Sequence, residues 1–506
     1  MVKVSVNNKE KEGKTLKDVI EGEPYIEGSN IVIVKGIKKE VKRSKKYRIT
    51  TTKGTMIVGI TEDSEVVDFW NRNYKKFINR GVRWKGISDV AFGPITIDLE
   101  MSNKPQRVKK WDVILSISGF DRDEGHLVFV KRDTTEVYGI ESPKIGILIG
   151  GKRVLSQLTS EDRILSIEPL RESKEMVDYL TTRDVDIELE EGWKIWTYCE
   201  GELEGPPETV EHVLALVEDG YFQIGQYTNT FVADCRLQSL DIGEENTEDR
   251  FRGAITVRNT GDGVGKVYIY REGRTSSPSH TVVGKITKGM ELVDFSDDEG
   301  IITVKLKPER LNVLGMTQSE AEEVFRRYGI EHKREGDTGD DAIIVEQKPE
   351  YTLEVLRSKE VITKGVSPDE LLYIEIFDND APRTAWYFRK TTGLTTKRIG
   401  KLKVYFKMGD MVMFERNERY AHKLLPENTP SERVEGGYIG VTNMVKRYKG
   451  YIGVRLSSNA KYGPTGETFE GTNIVGRVVK NMEVLKKVKV GDEIYLFEVR
   501  DGAFKS

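Results

Sequence analysis

The chain has 506 residues, of which 37% are apolar and 32% charged, and 79 Lys and Arg stand against 83 Asp and Glu for a formal charge of −4. That length allows several domains, each with a modest core. The near balance of charge lacks the electrostatic footprint of a nucleic-acid-coating protein and of a polybasic membrane clamp. Cys199 and Cys235 are the only thiols. Two cannot make a disulfide framework, a zinc site or the ligand set of an iron–sulfur cluster, and a reducing cytoplasm follows as the expected location. No apolar run reaches the roughly 20 residues of a membrane span, and no membrane contact is expected.

From the start, Val4-Ser5-Val6, Ile31-Val32-Ile33-Val34 and Tyr47-Arg48-Ile49-Thr50 read as strands, with Thr15 to Ile20 as a short amphipathic helix between the first two. A β-grasp-like module and a plain two-layer α+β module both fit this order. Asp68 to Gly81, carrying Phe69, Trp70, Tyr74, Phe77 and Ile78, has helical spacing and reads as a packing helix leading into the next unit.

Repetition dominates the rest. Three stretches open as strand, Pro turn and helix. The first runs from Ile95 to Arg107, the second from Trp193-Lys194-Ile195-Trp196 through Pro207 to Leu216, and the third from Leu372 through Pro382 to Phe388. Proline suits the first turn of a helix, where its missing N–H has no partner to lose. The endings match without a gap. Val282-Val283-Gly284-Lys285 through Gly289-Met290-Glu291 parallels Ile474-Val475-Gly476-Arg477 through Asn481-Met482-Glu483, and Gly151-Lys152-Arg153-Val154-Leu155 is a worn copy. Acidic turns follow at Glu161-Asp162, Asp297-Asp298-Glu299 and Asp492-Glu493, each leading into a strand. Between the second and third units, Thr317 and Glu320 form a capping box at the start of a helix that Gly329 stops, and Ile343-Ile344-Val345 begins a strand.

These openings and the Val-Val-Gly-Lys ending resemble cyclophilin-type β-barrels. The segment from Gly315-Met316-Thr317 to Gln347-Lys348-Pro349 is similar to a PASTA domain. The order of modules as a whole resembles the archaeal family of methanogenesis marker protein 3. The fold expected is mainly β with α+β elements: an N-terminal module and linker helix over 1–88, a degenerate cyclophilin-like unit over 89–190, a second over 191–307, a PASTA-like module over 308–366 and a third cyclophilin-like unit over 367–506. The resemblance implies a scaffold in the ATP-dependent activation of methyl-coenzyme M reductase. Its partners would be the reductase and its activation proteins, including an ATP-binding component. ATP and iron–sulfur clusters are then expected on those partners, and no cofactor on this chain.

Retained isomerase activity is weighed as the alternative. Cyclophilins polarise the peptide carbonyl with an Arg followed by Phe and Gln, and no unit carries that pattern. Tyr221-Phe222-Gln223 and Tyr405-Phe406-Lys407 lack the Arg, while His280 matches the cyclophilin His ahead of its Val-Val run. His126, His212, His280, His332 and His422 have no i, i+4 pair for a metal. Gly261-Asp262-Gly263-Val264-Gly265-Lys266 lacks Walker spacing and reads as a β-turn. The basic run from Lys35 to Arg48 reads as a solvated hairpin or a dock for an acidic partner, and Tyr438, Tyr448, Tyr451 and Tyr462 as barrel packing or a partner-binding face. No catalytic, cofactor-binding or metal residue is expected: barrels in series offer docking faces and no reactive centre.

Overall fold

The computed structural model describes residues 1–61, 64–243, 248–296 and 299–499, with backbone alone over 37–44 and 171–177. The protein is mainly β and folds as two compact units, one of residues 1–205 and 220–307, the other of 206–219 and 308–506.

The first unit begins with a small sheet in the order Lys9–Gly13, Val2–Val6, Lys194–Trp196, the start of Ile31–Thr51, and the end of Ile164–Thr182. Val2–Val6 runs parallel to Lys194–Trp196, and the other pairs are antiparallel. This order, with one helix after the first hairpin, is that of a β-grasp. The helix Leu16–Ile20 is held by a capping box between Thr15 and Asp18 and buries Leu16, Val19 and Ile20 against Val4, Val6, Ile33, Trp193 and Ile195. The run 193–198 therefore does not open the second barrel. Its strand completes the N-terminal sheet, and Cys199–Leu203 opens the barrel instead.

The two long strands Ile31–Thr51 and Ile164–Thr182 stay paired along their length and lead outward into the first barrel. The basic run 35–48 thus lies in a single strand, not a hairpin. The side chains of Lys38, Lys39, Lys42 and Arg43 lie outside the described residues, as do Asp297 and Asp298 of the second acidic turn.

The first barrel follows the order Gly54–Ile60, Lys144–Gly150, Asp112–Ile117, Gly125–Val130, Asp89–Ile95 and Val82–Lys85. It closes onto the strand after residue 162 through the Gly81–Arg163 bridge and the bond from Val82 N to Asp162 O. Its opening strand and helix are Gly54–Ile60 and Glu65–Asn73, not the stretch from Ile95 to Arg107. The helix lacks the proline of the other two, and the hydroxyl of Ser64 caps it by accepting from Val67 N. Trp70 is fully buried, in edge contact with Tyr47 at 5.4 Å.

The second barrel has the order Tyr221–Ile224, Gly300–Lys307, Cys199–Leu203, His280–Lys288, Ala254–Arg258, Val267–Tyr270, Phe231–Asp234. The third is a closed barrel with the matching order Ile399–Met408, Glu493–Glu498, Leu372–Ile376, Thr472–Lys480, Tyr438–Thr442, Ile452–Arg455, Met411–Phe414. One local device recurs in all three. At Ile145, Val283 and Val475, each fully buried, the ladder to the neighbouring strand slips by a residue. The next residue is glycine every time, because a Cβ on Gly146, Gly284 or Gly476 would lie 2.3, 2.2 or 2.2 Å from a carbonyl oxygen of the barrel's opening strand. A short helix follows, Lys152–Gln157, Met290–Phe295 or Glu483–Lys487, then the closing strand.

Between the second and third barrels the chain forms a three-stranded sheet of Glu331–Gly336, Glu360–Val366 and Ile343–Lys348. The helix Gln318–Arg327 lies on it with the expected Thr317–Glu320 capping box, and Gly329 follows at φ 62°. Within the second unit this module shares a core with the third barrel: Phe325, Ile344 and Val361 cluster with Leu371 and Ile399.

Candidate ligand site in the second barrel

Four neighbouring strands of the second barrel are buried on both faces. Val232, Ile255, Val257, Val267 and Ile269 form one apolar set. The alternate residues Phe231, Thr256, Arg258, Tyr268, Tyr270 and His280 share the other face, since side chains alternate along a strand. The register brings them together: Phe231 lies opposite Tyr270, Thr256 opposite Tyr268, and Arg258 opposite His280. The rings meet edge to face, with Phe231 5.0 Å from Tyr268 and His280 4.8 Å from Tyr268.

A pocket of about 470 Å³ opens over this face, lined also by Gln226, Gln238, Arg250, Asp262, Gly263 and Lys266. The glycine-rich stretch 261–266 is the turn between Ala254–Arg258 and Val267–Tyr270, and it forms part of the pocket wall. A Cβ at 263 would stand 2.8 Å from Arg258 Cδ and 3.3 Å from the Tyr268 hydroxyl, so a larger residue there would push the Arg258 side chain aside. Arg250 donates to Thr275 O at 2.8 Å and to the Tyr270 hydroxyl at 2.8 Å, and its guanidinium stands 5.2 Å from the Tyr270 ring centre. Arg258 donates to Thr260 O at 2.9 Å.

His280 Nδ1 lies 3.1 Å from Thr256 Oγ1. Burial, with the charges of Arg250 and Arg258 adding to it, pushes its pKa down to about 3, so the ring is neutral at physiological pH. Burial pushes the phenols of Tyr268 and Tyr270 up, against the pull of the same arginines. Chemically the site offers fixed cationic donors, an aromatic wall and a neutral imidazole. Where the sequence reading expected docking faces and no reactive centre, ionisable side chains of this barrel line one pocket. The sequence singled out His280, and the stretch 261–266 only as a β-turn. Arg250, Arg258, Tyr268 and Tyr270 were missed because the site gathers them from one sheet face and two loops.

The third barrel lacks this pocket. By register Gly440 replaces Thr256, Gly453 replaces Tyr268, Arg455 replaces Tyr270 and Thr472 replaces His280. Pro464 and Thr465 fill the space. A Cβ on Gly453 would lie 2.5 Å from Pro464 O, and Thr465 Oγ1 is 2.9 Å from Thr472 Oγ1 in a buried contact. Arg455 is drawn aside to Asp410 Oδ1 at 3.0 Å. Asn473 is buried beside this plug and is bonded to Thr384 Oγ1 and Leu425 O. The first barrel has an open cleft of about 870 Å³ lined by Ser64, Met101, Lys104, Phe120, Glu141 and Ser142, where Lys104 is paired with Glu141.

The other histidines stand apart. His126 is buried against Trp84 at 4.7 Å, His332 bridges Glu322 and Thr363, and His422 contacts Arg419 O. His212 lies on the helix Pro207–Leu216. Among the described residues no three His, Cys, Asp or Glu are grouped to hold a metal ion. Cys199 is buried, donates to Gly289 O at 2.9 Å, and has its thiol pushed up by burial. Tyr448 and Tyr462 are exposed, whereas Tyr438 contacts Phe377 and Tyr451 contacts Tyr405. No described helix is long and apolar enough to cross a membrane.

Along its whole length the chain is 60% identical to a UPF0288 protein of Methanococcus aeolicus, over 99% of this chain and 100% of that one. The chain belongs to the UPF0288 protein family. A Methanothermobacter thermautotrophicus member is 41% identical over 99% of this chain and 98% of its own. A Methanopyrus kandleri member is 36% identical over 97% of each. These relatives come from methanogenic archaea. Residues 372–499 also match a family described as "Putative peptidyl-prolyl cis-trans isomerase domain". That match covers the third barrel, the one whose pocket is filled.

Proposed function

We propose that this family member is a cytoplasmic, non-catalytic scaffold of the methyl-coenzyme M reductase activation complex, the role expected of methanogenesis marker protein 3. In this reading the reductase and its activation proteins, one of them ATP-binding, dock on the barrels. ATP and iron–sulfur clusters stay with those partners. The observation that carries the reading is the filled third barrel. There Pro464 and Thr465 occupy the very face that is open in the second barrel, leaving a packed, presentable surface in the domain that resembles an isomerase. Fold alone does not fix activity. Tagged chain purified from a methanogen should bring down reductase subunits and an ATP-binding component together. Recovery of the chain free of both contradicts the reading.

A second reading, peptidyl-prolyl isomerisation of a client, draws on the second barrel, where Arg250 and Phe231 line one pocket with His280. A protease-coupled assay on proline peptides separates the two. The scaffold reading expects no activity above background, and activity lost in His280→Ala supports isomerisation.

A further inference from the structure

In the second barrel Arg250, Arg258 and Lys266 line one small pocket, and among the described residues none of them is paired with a carboxylate. Elsewhere in the same barrel, arginines facing partly buried ground are neutralised. Arg236 pairs with Asp234 at 2.8 Å, and Arg271 lies 3.9 Å from Asp294. Among the described residues Asp262 is the only acid on the wall, so these residues give the pocket a net excess of positive charge beside a neutral imidazole. Unpaired charge in such a place is costly unless a counter-charge is supplied. Phe231, Tyr268 and Tyr270, packed together, supply an aromatic side to the wall, beside Gln226 and Gln238. The volume of about 470 Å³ falls within the range of small-molecule sites.

We infer that this pocket binds a small organic anion, with its phosphate, sulfonate or carboxylate head on Arg250, Arg258 and Lys266 and its apolar body against Phe231, Tyr268 and Tyr270. The glycine-rich turn 261–266 then serves the site by bringing Lys266 to its rim and leaving room for Arg258. The backbone of that turn does not cradle the head. The inference stands apart from the scaffold reading, since a scaffold with or without a ligand would purify with the same partners.

The test is titration calorimetry on the full chain with phenyl phosphate, benzenesulfonate and benzoate, and with phenol as the neutral match, at fixed ionic strength. One equivalent of at least one anion should bind and perturb tyrosine absorbance, and phenol should not. Lys266→Gln and Arg258→Gln should each weaken binding roughly tenfold or more, as expected for loss of a bond to a charged group. Lys266→Arg should retain it. The Lys266 backbone bonds Gly263 O and Arg258 N, but its side chain makes no bond among the described residues, and an unchanged unliganded melting curve for its variants verifies the fold. Binding of phenol equal to that of the anions overturns the inference, as does binding unmoved by Lys266→Gln and Arg258→Gln, or none with any of the three anions.

Discussion

His280 sits where a neutral ring is held by its surroundings, and that has a consequence for stability. Its pKa falls from an ordinary 6.5 to about 3 in the folded barrel. Between those values the unfolded chain binds a proton that the folded chain does not, so stability rises with pH through that window. His280 therefore favours the fold above about pH 6.5, and this is lost as pH falls toward 3. Denaturant unfolding at stepped pH should show a flatter acid limb for His280→Asn than for the natural chain. Equal slopes would contradict the burial argument. Gly284 makes a steric prediction at the same scale. With a carbonyl oxygen 2.2 Å from the Cβ position, Gly284→Ala should destabilise by about 1–3 kcal/mol, measured by chemical denaturation. The matched Gly284 and Gly476 endings were legible in the sequence because the same backbone crossing forces the same residue. Arg250 and Tyr270 were not, because nothing local in the sequence says that an outward sheet face is covered. The alternation Val267-Tyr268-Ile269-Tyr270 was the available signal: aromatics where a one-sided strand places polar residues.

Among the elements, the helix Pro207–Leu216 belongs to the second unit although its flanking strands belong to the first. Within that unit Glu211 accepts from Arg310 Nε at 2.7 Å and from Thr352 N at 2.9 Å, and Arg310 also reaches Glu218 at 2.6 Å and Thr396 O at 2.6 Å. Both side chains of the central pair are nearly buried, at 9% and 10% exposure. Arg310→Ala leaves Glu211 uncompensated and should cost about 3–5 kcal/mol in the second unit's unfolding transition. A loss below 1 kcal/mol would show that water replaces the arginine. The Thr317 cap is worth less: Thr317→Ala should cost about 1 kcal/mol, read from the same transition. That capping box could be read from the sequence because its chemistry is contained in four residues. The opening of the first barrel could not be found by its proline, since Ser64 does the work that Pro207 and Pro382 begin in the other two.

At the scale of the whole molecule, three barrels of related strand order, a PASTA-like module and an N-terminal sheet completed by residues near 195 make one chain. The repeat was legible because it is written in short matched endings. The completion of the β-grasp was hidden because Lys194–Trp196 pairs with strands more than 150 residues earlier in the chain. The central claim is that this chain acts by holding others in register. The most direct measurement uses extract from a methanogen lacking the chain, in which ATP-dependent activation of the reductase is followed as purified chain is added back. The scaffold account predicts that activation is lost without it and returns in proportion to added chain, saturating near one equivalent of the complex. Full activation without the chain, or at a small fraction of an equivalent, would contradict it.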